Sequence, residues 1–266
     1  MERMQPRTQS HREEPTRVYK LGGPVLEDPG LIGPLADEIR KGAGRALLVH
    51  GGGRHVERML RALSIESRFV GGRRETSPAA MEVVEMVLSG VVSKSLASGL
   101  TRAGVPAVGV SGRDAGLVRA RLEPGLGRVG LPDAVDAGVL RCLWAAGYVP
   151  VVSPVSDGPS GEPINVNADE AALGLAAAVN AQALVYLSDV DGVLLGDQFA
   201  STLGAEEAAR LTEDGTISGG MALKVRTALA AARAGIPEVV IAGKGRLTGG
   251  FAGTRIGGAA RAEARA

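Results

Sequence analysis

The chain has 266 residues, enough for one large α/β unit or two lobes with a well-filled core. Thirty Lys and Arg against 29 Asp and Glu give a net charge of +1, so no global field marks it for nucleic acid or an anionic membrane. One cysteine, Cys142, excludes an intrachain disulfide framework and fits a reducing cytosol; with His11, His50 and His55 it makes no zinc set.

Met1 to Arg17 is polar and charged, lacks the apolar core of a secretory signal, and reads as a flexible tail. No later apolar stretch reaches membrane-spanning length without a charge or glycine, so the expectation is a cytoplasmic protein. The first strand ends at Lys20, before Gly22-Gly23. Ligands of an open α/β sheet gather at the carboxyl ends of its strands, and glycines let backbone N–H groups approach phosphate oxygens. A surface lysine before a turn has the same pattern. Arg45 to His50 reads as a buried strand ending in Gly51-Gly52-Gly53, with a helix following through Met59 and Leu63. Helix-start N–H groups and the helix dipole favour an anion there, although tight-turn glycines fit equally. A dinucleotide fingerprint fails because Val56 holds its sixth position. His50 reads as a packed strand-end residue rather than a base.

Gly72-Arg73-Arg74-Glu75-Thr76 precedes Ser77-Pro78, an N-cap and N1 pair. A guanidinium grips a carboxylate with two parallel hydrogen bonds, and either arginine, or neither, can face a site. Met81, Val84, Glu85, Leu88 and Val91 then form a helical stripe that stops before Gly104, and Val105 to Val110 follows as a strand. Leu140 to Ala146 is helical and closed by Gly147, and Val149 to Val152 is the next strand. Asn165 and Asn167, two apart on extended backbone, project to one side. Asp169 then opens an alanine-rich helix to Val179, where a carboxylate serves as a cap or as a site residue. Ala183 to Leu187 is a strand leading into Ser188-Asp189-Val190-Asp191-Gly192, which lacks the EF-hand register. Thr216-Ile217-Ser218-Gly219-Gly220 leads into a helix from Met221 to Ala234 with Lys224 on its first turn, and Glu238 to Ala242 is the last strong strand. The alternation predicts an α/β fold with a largely parallel sheet covered on both faces. Neither a Walker A loop nor the protein-kinase signatures occur.

Val-Tyr-Lys20-Leu-Gly22-Gly23, His50-Gly51-Gly52-Gly53, Asn165-Val-Asn167-Ala-Asp169 and Gly219-Gly220-Met221-Ala-Leu-Lys224 together resemble the acetylglutamate kinases of the amino-acid kinase family, in order and spacing over nearly all of residues 18–256. The resemblance implies a three-layer αβα sandwich with a mainly parallel central sheet. It also implies an N-terminal lobe, residues 18–180, for acyl-amino-acid binding and dimerisation, and a C-terminal lobe, 181–266, for nucleotide. Lys20 and Lys224 would be catalytic, with Asp169 holding both. Gly51, Gly52 and Gly53 would receive the acyl-amino acid and the transferring phosphoryl group. Arg74 aligns with the carboxylate-binding arginine of the family's Gly-Leu-Arg-x-Thr, and Arg73 stands where leucine is common. Asn165 would bind substrate and Asn167 would share its polar junction. Nucleotide would meet Gly22, Gly23, Ser188, Asp189, Val190, Asp191, Gly192, Thr216, Ile217, Ser218 and Gly220.

The implied reaction uses ATP, with Mg2+ held mainly by nucleotide phosphates and water, to phosphorylate the side-chain carboxylate of N-acetyl-L-glutamate in arginine biosynthesis. That carboxylate, with an unperturbed pKa of about 4.3, is ionised at neutral pH and needs no general base. The rivals are a lysine-biosynthesis kinase of a carrier-protein-linked aminoadipate and a non-catalytic small-molecule sensor. Gly-Met-Ala-Leu-Lys224 is closer to the acetylglutamate type, and a sensor would be expected to have lost a lysine or Asp169. Arginine-inhibited relatives add an N-terminal helix and a longer C-terminal segment. Pro6, Pro15 and few apolar positions before the first strand, and little room between Lys244 and Gly253-Thr254-Arg255, predict instead an arginine-insensitive homodimer. Its pairing would use helices that include the Met81–Val91 stripe, which ordinary core would explain as well.

Overall fold

The computed structural model describes residues 14–250 and 252–257. Apolar runs and glycine turns set the order of elements. Strand β1 (Thr16–Leu21) leads through α1 (Gly23–Leu26) and α2 (Ile32–Lys41) to β2 (Arg45–His50) and α3 (Gly53–Ala62). A short hairpin, β3 (Phe69–Val70) and β4 (Arg73–Arg74), precedes α4 (Pro78–Glu85), a π-helical stretch Met86–Val92, α5 (Ser93–Arg102) and β5 (Ala107–Ser111). Next come β6 (Val118–Leu122), β7 (Val129–Val135), α6 (Gly138–Ala145), β8 (Val149–Ser153), β9 (Val155–Asp157) and β10 (Pro163–Val166). The remainder is α7 (Ala168–Ala178), β11 (Ala183–Ser188), the short β12 (Leu194–Leu195), β13 (Gln198–Phe199) and β14 (Thr202–Leu203), α8 (Ala205–Glu213), α9 (Gly219–Arg233), β15 (Glu238–Gly243) and β16 (Thr254–Ile256).

Eight strands form one sheet in the order β14-β16-β15-β11-β1-β2-β8-β5. Every neighbouring pair is parallel except β15 with β16. Successive side chains of a strand face opposite sides. Val18, Leu47 and Leu184 therefore pack one way, against Leu175 of α7 and Ala228 of α9. Tyr19, Leu48 and Val185 pack the other way, against Leu35 of α2 and Leu100 of α5. Helices on both faces make the expected three-layer αβα sandwich. Lys20, two residues beyond Val18, projects to the α7–α9 side.

Several details add to the sequence reading or depart from it. The first strand begins at Thr16, inside the stretch read as tail, because Arg17 and Val18 already pair with β11 and β2; residues 1–13 of that tail lie outside the described residues. The sheet runs unbroken through strands on either side of residue 180, and one core mixes both halves. A small closed barrel, β10-β7-β6-β9, had no counterpart in the sequence reading. Its strands are short, β7 contains Pro132, and the β6–β7 register shifts between Arg119 and Ala120.

Met81, Val84 and Leu88 of the apolar stripe are interior, packed with Val56 and Leu60. The π-helical turn rotates Val91 out to solvent. The helix from Pro78 to Arg102 is long and apolar enough to cross a membrane, but its apolar side is committed to this core. Among the described residues between β15 and β16 there is only a short 3-10 turn, Lys244–Thr248, as the sequence spacing suggested.

Candidate active site

The carboxyl ends of β1, β2 and β11 converge, and two glycine turns leave them at the same height. Gly22 donates to the Leu187 carbonyl and Gly51 to that of Leu21, both at 2.9 Å, so the ladder carries past the strands and fixes where each turn starts. Lys20 ends there, with only 6% of its surface exposed. Opposite it, Asn167 caps α7: its Oδ1 accepts the Asp169 N–H at 2.8 Å. Asp169 is therefore not the cap, and its carboxylate is free for other work. Lys20 Nζ lies 2.7 Å from its Oδ1, and Lys224 Nζ lies 3.3 Å from both oxygens. Lys224 stands on the second turn of α9, not the first, because Ser218 caps a helix that already begins at Gly219. Its ammonium also lies 5.8 Å from the centre of the Tyr186 ring.

These three groups carry one negative and two positive charges in a nearly dry place. Burial alone would raise the Asp169 carboxyl, but the charges of Lys20 and Lys224 outweigh it and hold the group below the usual carboxylate range. Burial, followed by the charge of Lys20, pushes Lys224 down to about 8, with Asp169 opposing. The net positive charge, short of water, is a receptor for an anion.

The turn after β2 completes the cradle. Gly52 has φ +146°, and a Cβ there would come within 2.7 Å of the Leu88 side chain and 3.3 Å of Val92. Only glycine fits. Gly52 is the N-cap and Gly53 the first residue of α3, so their N–H groups have no intrahelical acceptor. His50 is fully buried, and burial pushes its pKa to about 4, which leaves it neutral and unsuited to be a base.

A cavity of about 200 Å³ is lined by Lys20, Gly51 to Gly53, Arg73, Arg74, Asn165, Asn167 and Asp169. Both arginines reach it, held differently. Arg74 is buried, donates from Nη1 to Glu57 at 2.6 Å and to Ser67, donates from Nη2 to the Gly53 carbonyl at 3.2 Å, and stacks 4.6 Å from the Phe69 ring centre. Arg73 grips Glu170 with two bonds, at 3.2 and 2.5 Å, tying the β3–β4 hairpin to α7. Asn165 donates to the Thr76 hydroxyl at 3.0 Å. Glu57, Ser67 and Glu170 escaped the sequence reading, since only tertiary packing links them to Arg73 and Arg74, and Thr76, named there in the arginine motif, gains its role as the partner of Asn165.

Of the residues expected at nucleotide, Gly23 alone lines this cavity. Gly22 starts α1 as its N-cap. Ser188 ends β11 and donates to Asp189 Oδ1 at 3.0 Å; Asp189 and Val190 are exposed, Asp191 half-buried and Gly192 buried. Thr216, Ser218 and Gly220 are exposed at the start of α9. Ile217, between them, is buried in the core with Val225 and Leu211. Among the described residues no group of three His, Cys, Asp or Glu side chains is placed to hold a metal ion.

The model of the amino acid kinase family matches residues 15–243. An acetylglutamate kinase of Rubrobacter xylanophilus is 45% identical over 256 residues, covering 93% of this chain and 98% of the relative. That of Geobacillus stearothermophilus is 44% identical over 232 residues, covering 85% of this chain and 89% of the relative. Among solved structures, smu.665 from Streptococcus mutans superposes with a TM-score of 0.83 at 23% identity, covering 91% of this chain and 98% of the other, a likeness of fold.

Proposed function

Since this chain belongs to the amino acid kinase family, we propose that it is an acetylglutamate kinase, transferring the γ-phosphoryl group of ATP to the side-chain carboxylate of N-acetyl-L-glutamate in arginine biosynthesis. The observation that carries the reading is the buried Lys20–Asp169–Lys224 cluster, of which Lys20 and Asp169 line a cavity together with the glycine turn and both arginines.

The substrate carboxylate is already an anion, so its difficulty is approach to a still more negative triphosphate. One carboxylate oxygen attacks the γ-phosphorus while the bond to the bridging oxygen breaks and leaves with ADP. The developing charge falls on the transferring oxygens and on that bridging oxygen. Lys20 and Lys224 stabilise it, each by a few kcal/mol in a site this dry. Asp169 keeps two like charges together and aimed. The free N–H groups of Gly52 and Gly53 add donors without adding bulk. Arg74, already stiffened by Glu57 and stacked on Phe69, orients a substrate carboxylate; Arg73 holds the hairpin over it. Nucleotide runs along the Ser188–Gly192 and Thr216–Gly220 segments.

ATP enters as its magnesium complex, with the metal carried by phosphates and water. Asp169 is committed to two lysines and is no free ligand for it. Magnesium would neutralise phosphate charge; the residues above do the rest.

The protein is also read as a cytoplasmic homodimer. With Met81, Val84 and Leu88 interior, the face left for pairing is the one that exposes Met86 and Val91. Light scattering tests this, and a monomer at micromolar concentration would overturn it. For the activity, purified protein is assayed for ADP release with ATP and N-acetyl-L-glutamate, beside N-acetylaminoadipate and glutamate. Turnover confined to the aminoadipate derivative, or none at all, would overturn the reading.

A further inference from the structure

His50 closes β2 immediately before the glycine turn, and its ring is wholly buried. Its Nδ1 lies 2.8 Å from the Gly51 carbonyl oxygen. A carbonyl can only accept, so the proton is on Nδ1. The ring is neutral, since burial pushes its pKa to about 4, and Nε2 therefore carries a lone pair. That Nε2 has no hydrogen-bond partner among the described residues. An apolar side chain at this strand end would leave no orphan acceptor in the core. The fold instead bears that cost at the residue whose other nitrogen fixes the first carbonyl of the turn.

Peptide geometry says what the contact does. The Gly51–Gly52 peptide is planar and trans, so its carbonyl and its N–H point in opposite directions. The Gly51 N–H is already engaged with Leu21, and Leu88 and Val92 occupy the space that a Cβ on Gly52 would need. With its carbonyl turned to the buried imidazole, this peptide sends the Gly52 N–H away from the core, toward the cavity that Gly51 to Gly53 line with Lys20.

We propose that His50 is a positioning residue for phosphoryl transfer: by donating from Nδ1 to the Gly51 carbonyl, it aims the Gly52 N–H at the transferring phosphoryl oxygens. This rests on the kinase reading above. Without the imidazole donor the glycine peptide is free to flip, and the N–H is no longer preorganised.

The test compares wild type, His50→Leu and His50→Asn in steady-state kinetics with ATP and N-acetyl-L-glutamate. Leucine removes the donor at similar volume; asparagine returns an amide N–H close to the place of Nδ1. His50→Leu should lower kcat about 100-fold, as loss of one oxyanion-type donor does, with both KM values changed less than about threefold. His50→Asn should recover to within about tenfold of wild type. A folded leucine variant with wild-type kcat, or an asparagine variant no better than leucine, overturns the role while leaving the kinase reading intact. A wild type without turnover overturns both. Nitrogen-15 NMR of wild-type His50 judges the contact even if a variant fails to fold: a neutral ring protonated on Nδ1 between pH 6 and 8 is expected, and an Nε2–H tautomer or a charged ring overturns it.

Discussion

Asp169→Asn removes the one carboxylate that lets Lys20 and Lys224 share a site, at 2.7 and 3.3 Å, and leaves everything else isosteric. Taking one partner from a buried ion group costs about 3–5 kcal/mol, because the remaining charge is stranded away from water. Lys224 has an escape. It is already down at about 8, and Asp169 is a charge that opposes the fall, so without it the lysine gives up its proton at lower pH. The wild-type folded state holds the Lys224 proton up to about pH 8, the variant releases it earlier, and the unfolded chain keeps it until about 10.5. Below about pH 8 the variant therefore gains stability with pH where wild type does not, and the deficit narrows by about 1.4 kcal/mol for each pKa unit that the lysine falls. Urea unfolding at pH 7, 8 and 9, with unchanged m-values, measures it directly. A deficit that stays constant or widens with pH would refute the charge-sharing account. Turnover of the variant should fall at every pH, since loosened lysines no longer point at one phosphoryl group.

Lys20→Met and Lys224→Met should each lower kcat by about two to three orders of magnitude, as expected for about 3–4 kcal/mol of transition-state charge stabilisation, while circular dichroism shows the fold intact; near-normal turnover in either would sink the mechanism. Arg74→Lys keeps a charge but loses the planar fork that meets Glu57, Ser67 and Gly53, so the KM for N-acetylglutamate should rise about tenfold or more with that for ATP nearly unchanged. An equal rise in both would point to general misfolding, or to Arg73 as the substrate contact. In pH profiles, kcat/KM for ATP should fall above about pH 8, where free Lys224 loses its proton, and the limb in kcat should lie higher because bound phosphate favours the ammonium. A profile flat to pH 10 would contradict this.

The parts legible in the sequence were those set by local rules. Arg45 to His50 was bounded by its apolar run and three glycines and matches β2. Ser77-Pro78 behaved as cap and first helical residue, with the Ser77 side chain accepting the Ala80 N–H. The meeting of the two lysines with Asp169 was legible only through the family resemblance, since 55 positions separate Asp169 from Lys224 and no local rule spans them. Asp169 and Asn167 shows the limit: both are good caps, and only backbone geometry decides that Asn167 caps and frees its neighbour. The apolar stripe failed at Val91 because a π-helical turn adds a residue to the period, which no hydrophobic pattern announces. The four-stranded barrel was hidden by strands too short and irregular to alternate clearly, as in Val118-Arg-Ala-Arg-Leu122 opposite Pro132.

The placement of β1 between β2 and β11 bears on how the chain is made. During synthesis β1 and β2 emerge early and pair, since only α1, α2 and their turns separate them. The other edge of β1 has to wait for Ala183–Ser188, more than 160 positions later. Until then the strand bearing Lys20 presents an open row of backbone donors and acceptors, the kind of edge that recruits stray strands. A fragment ending near residue 180 would keep that edge bare and would lack α9 over half the core. It should aggregate rather than fold as a substrate-binding lobe. The phosphoryl site, which needs both β11 beside β1 and Lys224 of α9, is therefore among the last features to assemble.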